Sequence, residues 1–138
     1  MIYGNPNSVP QVTKDVPVTT ASPRLPFIKH ISEIPVEGAH GGSGSRQLLL
    51  SPSDPVSPKF QAMTKGFLPA GAIFDWHDHD KIDEFFLVLR GTGCIEFETG
   101  VKMDYKPDDL IYVPSNTKHR IENTGSVENE FYFIRLDA

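Results

Sequence analysis

The chain has one cysteine, Cys94, so no intramolecular disulfide closes it and its stability must come from packing and hydrogen bonding. Long apolar runs are also missing. The longest, Phe85 to Leu89, falls far short of the roughly 20 residues a membrane helix needs. Positive charge is scarce, with 13 basic against 18 acidic residues and a formal net charge of −5. That balance disfavours nucleic acid and anionic membranes as partners. The first residues, Met-Ile-Tyr-Gly-Asn-Pro-Asn-Ser, lack the basic start and apolar core of a signal peptide, so the expected location is cytoplasmic. No stretch combines sustained 3.6-residue periodicity with helix caps, and no internal repeat occurs.

At 138 residues the chain is expected to bury one core. Pro6, Pro10, Pro17, Pro23 and Pro26 punctuate the first 26 residues, and Gly38 to Ser45 reads as a flexible connector. Residues 1–45 are therefore expected to form an extended Pro/Gly-rich arm and connector, with a β-domain over 46–138. From Lys59 onward the pattern is that of strands. Gly93 to Glu98 alternates with Ile95 and Phe97 on one face, and Lys118 to Asn123 alternates with His119, Ile121 and Asn123 on one face. Turn signals separate the runs at Pro69–Gly71, Gly91–Gly93, Lys106–Asp109 and Asn123–Gly125. Many short strands mean an all-β sandwich or barrel. Phe85–Leu89 and Phe131–Ile134 are apolar on both faces and need cover on both, either from loops and the N-terminal arm or from a second subunit.

The chemistry concentrates in Gly71-Ala-Ile-Phe-Asp-Trp-His77-Asp-His79-Asp-Lys-Ile-Asp-Glu84, closed by Gly91, and in Pro114-Ser-Asn-Thr-Lys-His119-Arg-Ile-Glu-Asn123. Residues i and i+2 of a strand share a face, so His77 and His79 project together, about 7 Å apart at the backbone. Glu84 follows across a four-residue turn and adds an anionic oxygen, and His119 can close the set from a later strand. Three imidazoles and a carboxylate suit a divalent transition metal such as Fe, Mn, Ni or Zn, and do not suit Ca or Mg. Four protein ligands on a six-coordinate ion leave two neighbouring positions open, as Lewis-acid or redox chemistry requires. Asp75, Asp78, Asp80 and Asp83 are candidates for orienting the imidazoles from behind, though such charges more often sit in solvated turns.

The two blocks resemble the paired motifs of the cupin superfamily. The first, G-x5-H-x-H-x3,4-E-x6-G, is matched by Gly71, His77, His79, Glu84 and Gly91. The second, G-x5-P-x-G-x2-H-x3-N, is matched by Pro114, His119 and Asn123. It departs at Asn116, where the family usually has glycine, and near its opening glycine, where Asp104 or Lys102 stands. The resemblance covers about residues 59–136 and implies an antiparallel jelly-roll β-barrel of six to eight strands. It implies metal binding by His77, His79, Glu84 and His119, and a homodimer that exchanges an N-terminal strand. It does not select a reaction, because one scaffold hosts many chemistries.

Other residues are read more plainly. Trp76 points away from His77 and is expected to pack. Cys94 lies on the Glu96 face, away from the interior. His30 and His40 are expected to be surface histidines. Phe86, Val88 and Ile121 share faces with the metal-facing residues, so an apolar pocket is expected, with Tyr112, Arg46, Lys65 and Arg90 as candidate orienting groups. The expected function is a metal-dependent enzyme acting on a small organic acid or phenol, as oxygenase, decarboxylase, lyase or isomerase. In that reading Glu84 is both ligand and candidate proton acceptor. The alternative is a non-catalytic small-ligand or sensory barrel.

Overall fold

Turns, most of them bearing proline or glycine, cut the sequence into runs of four to nine residues from Phe60 onward, and each run forms a strand. The computed structural model describes residues 24–138. Its ten strands are β1 (Glu37–Ala39), β2 (Gly44–Leu50), β3 (Phe60–Leu68), β4 (Ile73–His77), β5 (Ile82–Arg90), β6 (Gly93–Phe97), β7 (Lys102–Tyr105), β8 (Leu110–Val113), β9 (His119–Glu122) and β10 (Asn129–Asp137). Six form one sheet in the order β1-β2-β3-β10-β5-β8, and four form the other in the order β4-β9-β6-β7. Every pairing is antiparallel, and from β3 the chain passes repeatedly from one sheet to the other, which is the jelly-roll barrel expected.

Strands outnumber the expected six to eight because Gly38–Ser45 is not a loose connector. It builds the β1–β2 hairpin, turned by a 3₁₀ segment (His40–Gly42) in which Gly41 and Gly42 have φ of 68° and 95°. The proline-rich arm lies mostly outside the described residues. Residues 24–36 run along the edge of β2: Gln47 Nε2 donates to the Ile31 and Ile34 carbonyls, and Lys29 Nζ donates to the Leu49 carbonyl. That segment covers one end of the large sheet. Leu87, Leu110 and Tyr112 stay exposed on the outer face at the other end. Among the described residues no helix is long and apolar enough to cross a membrane.

Side chains at alternate positions meet between the sheets. Phe86 and Val88 of β5 and Phe131 and Phe133 of β10 face Phe74, Ile95 and Ile121 of the small sheet, all buried. Full burial of each such side chain contributes about 1.5–3 kcal/mol. Register divides the barrel into two ends. Glu84↔Arg135 and His77↔His119 bring polar residues together at one end, while Leu68, Val88, Tyr105 and Phe131 fill the rest.

The second motif departs from the family pattern at a different residue than Asp104 or Lys102. Six positions before Pro114 stands Asp108, and Asp108 adopts φ 73° in the Lys106–Asp109 turn. Asn116 likewise has φ 59°. Both positions need the left-handed region where glycine is cheapest, and Asp and Asn are the side chains that tolerate it best. Gly91, which closes the first motif, has φ 83°, and a Cβ there would strike the Asn129 side chain.

That asparagine belongs to a buried polar network at the apolar end. Tyr105 Oη donates to Asn129 Oδ1 at 2.6 Å, and Asn123 Nδ2 donates to the Leu68 and Val127 carbonyls at 2.9 and 2.8 Å. Burial pushes the Tyr105 phenol well above its ordinary range. A raised phenol favours the neutral form in the fold, so its contribution is complete below the unfolded value and is lost as pH climbs above it. Tyr105→Phe is expected to cost about 1–3 kcal/mol in denaturant unfolding, because Asn129 Oδ1 loses its donor. Wild-type stability should fall above about pH 10 through this group, and the variant should lack that component. Equal alkaline profiles for the two proteins would refute the assignment.

Candidate functional site

Two cross-strand pairs build the polar end. β4 ends on His77 and β9 begins on His119, and these residues face each other in register with ring centroids 4.4 Å apart. Glu84, near the start of β5, lies across from Arg135 of β10 on one side and Val113 of β8 on the other. His79 sits just past the end of β4, so strand alternation alone does not aim it. Its carbonyl accepts the Asn116 N–H at 2.9 Å, which ties the turn of the second motif to the loop of the first.

The imidazoles are oriented from behind by backbone. His77 Nδ1 and His119 Nδ1 each lie 2.7 Å from a carbonyl two residues earlier, those of Asp75 and Thr117. Donation there puts the proton on Nδ1 and leaves the Nε2 lone pair facing inward. The nearby aspartates do not take this role: Asp75 Oδ1 accepts the Trp76 N–H and Asp83 Oδ1 accepts the Ser115 N–H.

What converges is a set of acceptors with nothing to accept from. His79 Nε2 is 3.5 Å and His119 Nε2 3.6 Å from Glu84 Oε1, and all three atoms are buried without a hydrogen-bond partner. Leaving a buried polar atom unpartnered costs about 1–3 kcal/mol, and three of them share one space. Candidate donor atoms of His77, Glu84 and His119 lie within 4.8 Å of one another, and His79 joins the group from the Glu84 side. Two or three borderline nitrogens and one hard oxygen fit a divalent transition ion. A divalent ion would satisfy all three orphaned atoms at once.

Arg135 was not expected from the motifs. Its Nε donates to Glu84 Oε2 at 2.7 Å, which occupies that oxygen and leaves Oε1 to the imidazoles. The signal was present as phase: Phe131, Phe133 and Arg135 alternate onto the inner face, so an arginine continues an apolar stripe. Burial alone would raise the Glu84 carboxyl. The Arg135 guanidinium on Oε2 opposes it, and the carboxyl lies well below the usual range, so Glu84 is ionised. The His77 imidazole is lowered as well: burial, outweighing its bond to the Asp75 carbonyl, takes it to about 4 and keeps it neutral near pH 7.

A cavity of about 310 Å³ opens above the cluster. Its walls include Phe74, Ile121 and Phe133, together with Arg46, Thr64 and Arg135. Of the four candidate orienting groups only Arg46 reaches it. Lys65 and Arg90 both pair with Glu130, at 3.6 Å each, and Tyr112 stacks on Phe85 on the outer face. His40 is solvent-accessible as expected, but it is also part of the site. The hairpin turn leans its ring on Phe74 and His77, with centroids 4.4 and 4.8 Å away, and it lines the cavity rim. Burial, followed by the charge of Arg135, lowers the His40 imidazole below its ordinary value. His30 is exposed. Trp76 lies outside the cavity beneath the Arg120 guanidinium, 5.2 Å from its centroid, and Cys94 is on the outer side of the small sheet beside Asp104.

Comparison with known proteins supports the same reading of the fold. An uncharacterized protein of Methanocaldococcus jannaschii is 33% identical over 67 residues, 49% of this chain and 53% of that protein, so the chain spans about half the length of that relative. The oxalate-binding protein of Thermotoga maritima is 28% identical over 101 residues, 72% of this chain and 82% of that protein. A crystal structure from the same organism, described as a predicted oxalate decarboxylase, superposes with a TM-score of 0.74 at 26% identity, covering 81% of this chain and all of that one. Residues 66–135, just over half the chain, match the cupin domain family, and the chain belongs to that family.

Proposed function

We propose that this is a metal-dependent cupin whose ion is held by His77, His79, Glu84 and His119 and whose pocket takes a small organic acid for turnover. The observation that carries the reading is the set of three buried, partnerless atoms, His79 Nε2, Glu84 Oε1 and His119 Nε2, beside a cavity that Glu84 and His77 line together with two arginines. A bound divalent ion would supply a Lewis acid, and with Fe or Mn a redox centre as well. The protein's own part is more specific. Arg135 keeps Glu84 ionised and turned so that Oε1 faces the imidazoles. A carboxyl held so far down is a poor proton acceptor, so Glu84 serves as a ligand and not as a base. Phe74, Phe133 and Ile121 exclude water from one side, and the guanidinium groups favour an anion on the other.

Oxalate is a small dicarboxylate, and the Thermotoga relative named for it supports an acid over a neutral phenol. The reaction is then oxygenation, decarboxylation, elimination or isomerisation. Binding without turnover is the second reading, and it too has that relative in its favour, since its name records binding.

Elemental analysis of gently purified protein should find near-stoichiometric Fe, Mn, Ni or Zn, and the His77→Ala/His119→Ala double variant should lack it. Metal in neither protein after reconstitution would overturn the proposal. With oxalate or phenylpyruvate as probe, consumption of the acid, followed with oxygen uptake and carbon dioxide release, supports the enzyme. Saturable binding with each acid recovered unchanged moves the reading to the non-catalytic binder.

Arg135→Leu should destabilise the metal-free protein by about 3 kcal/mol, since a buried carboxylate loses its partner. Added metal should raise the melting temperature of this variant more than that of wild type, because the ion replaces the lost charge. Equal shifts would show that Arg135 does not compensate Glu84.

A further inference from the structure

Arg46 is the one charged group of the cavity that the cluster does not use. It lies on β2 directly opposite Gly66 of β3, on the inner face, at the cavity wall. Arg135 is committed through Nε to Glu84. Arg46 has no comparable bond among the described residues. Among the described residues its only ionic neighbour is Glu37, 3.5 Å away across the hairpin, with both side chains well exposed. Such an open pair contributes little and yields easily to a competing anion. The chain as a whole carries −5, so a weakly paired guanidinium at the cavity wall is a positive spot in an acidic protein.

Two glycines shape the space around it. A Cβ at Gly66 would strike the Phe133 ring, and one at Gly44 would meet the Phe74 ring and the Phe67 carbonyl. Bare backbone at these positions lets both rings lie against the large sheet. No β3 side chain then stands between Arg46 and the interior. The cavity thus has a guanidinium at its wall, aromatic flanks, and the His–Glu cluster at its floor. At about 310 Å³ it holds the volume of about ten waters, each taking about 30 Å³ in the liquid. That exceeds the needs of an ion and its remaining waters, and it exceeds oxalate.

We propose that Arg46 is the specificity-determining residue of the pocket: it anchors the carboxylate of an organic acid whose short apolar or aromatic body lies between Phe74 and Phe133, while a second oxygen donor of the same molecule faces the cluster. The inference rests on the metal-centred, acid-binding reading above and names the ligand class. A planar guanidinium matches a carboxylate with two parallel hydrogen bonds, which lysine cannot reproduce. The apolar body attached to the two polar groups is what separates this ligand from oxalate.

Calorimetric titration of the full chain reconstituted with Mn(II) tests it, with phenylpyruvate, oxalate and phenylacetone as probes. Phenylpyruvate should bind more tightly than oxalate, and phenylacetone, which lacks the carboxylate, at least tenfold more weakly than phenylpyruvate. Arg46→Gln should weaken phenylpyruvate at least tenfold at unchanged Mn(II) content and melting temperature, and Arg46→Lys should recover only part of the loss. Phenylpyruvate affinity within twofold of wild type in Arg46→Gln, tighter binding of oxalate, or no binding of either acid to the wild type would overturn it. A wild-type protein that holds no Mn(II) would refute the metal reading instead. The same titration without metal then decides the anchor separately: phenylpyruvate binding that depends on Arg46 upholds it, and its absence removes it.

Discussion

The rest of the structure is organised around a carboxylate buried to 1% exposure. An ionised Glu84 cannot sit between two sheets without compensation, because desolvating an unpaired charge costs several kcal/mol. Arg135 supplies the compensation across the β5–β10 ladder, and that requirement specifies register. A slip of one residue would turn Arg135 outward and drive Phe131 and Phe133 off the core face at the same time. Core packing and charge compensation therefore demand the same pairing. β10, between β3 and β5 at the middle of the large sheet, carries both.

The barrel is polarised as a result. At one end, apolar side chains pack around Tyr105, Asn123 and Asn129, whose side chains find hydrogen-bond partners within the protein. At the other, backbone carbonyls hold two imidazoles from behind and three inward atoms are left without partners. A fold that satisfies its polar groups at one end and strands them at the other has kept a place for something it does not itself provide. The two glycines facing Phe74 and Phe133 widen that place beyond what an ion requires.

Local spacing carried much of this. Gly71, His77, His79, Glu84 and Gly91 form one block along the chain and Pro114, His119 and Asn123 another, and the spacing within each block marks the candidate ligands before any pairing is known. The alternation of Gly93–Glu98 and Lys118–Asn123 likewise declared an all-β fold before any pairing was known. Gly38–Ser45 misled because glycine-rich sequence reads the same whether it is a free tether or the positive-φ turn of a hairpin. The Lys106–Asp109 turn was legible in the sequence, but that Asp108 within it takes the left-handed conformation where the family has glycine showed only in the backbone.

Arg135, Arg46 and His40 belong to the other kind of information. Arg135 is 51 residues from Glu84, Arg46 stood as one of four equal candidates, and His40 looked like a loop histidine in glycine-rich sequence. Each acquired its role from register: Glu84↔Arg135, Arg46↔Gly66, and the β1–β2 hairpin that lays the His40 ring on His77. Short-range patterning was enough to mark an all-β fold and to name the histidines and the glutamate as candidate ligands. Which charges compensate that cluster, and which one remains free to meet a ligand, followed only once strands distant in sequence had paired, since a charge has no partner until the sheet brings it one.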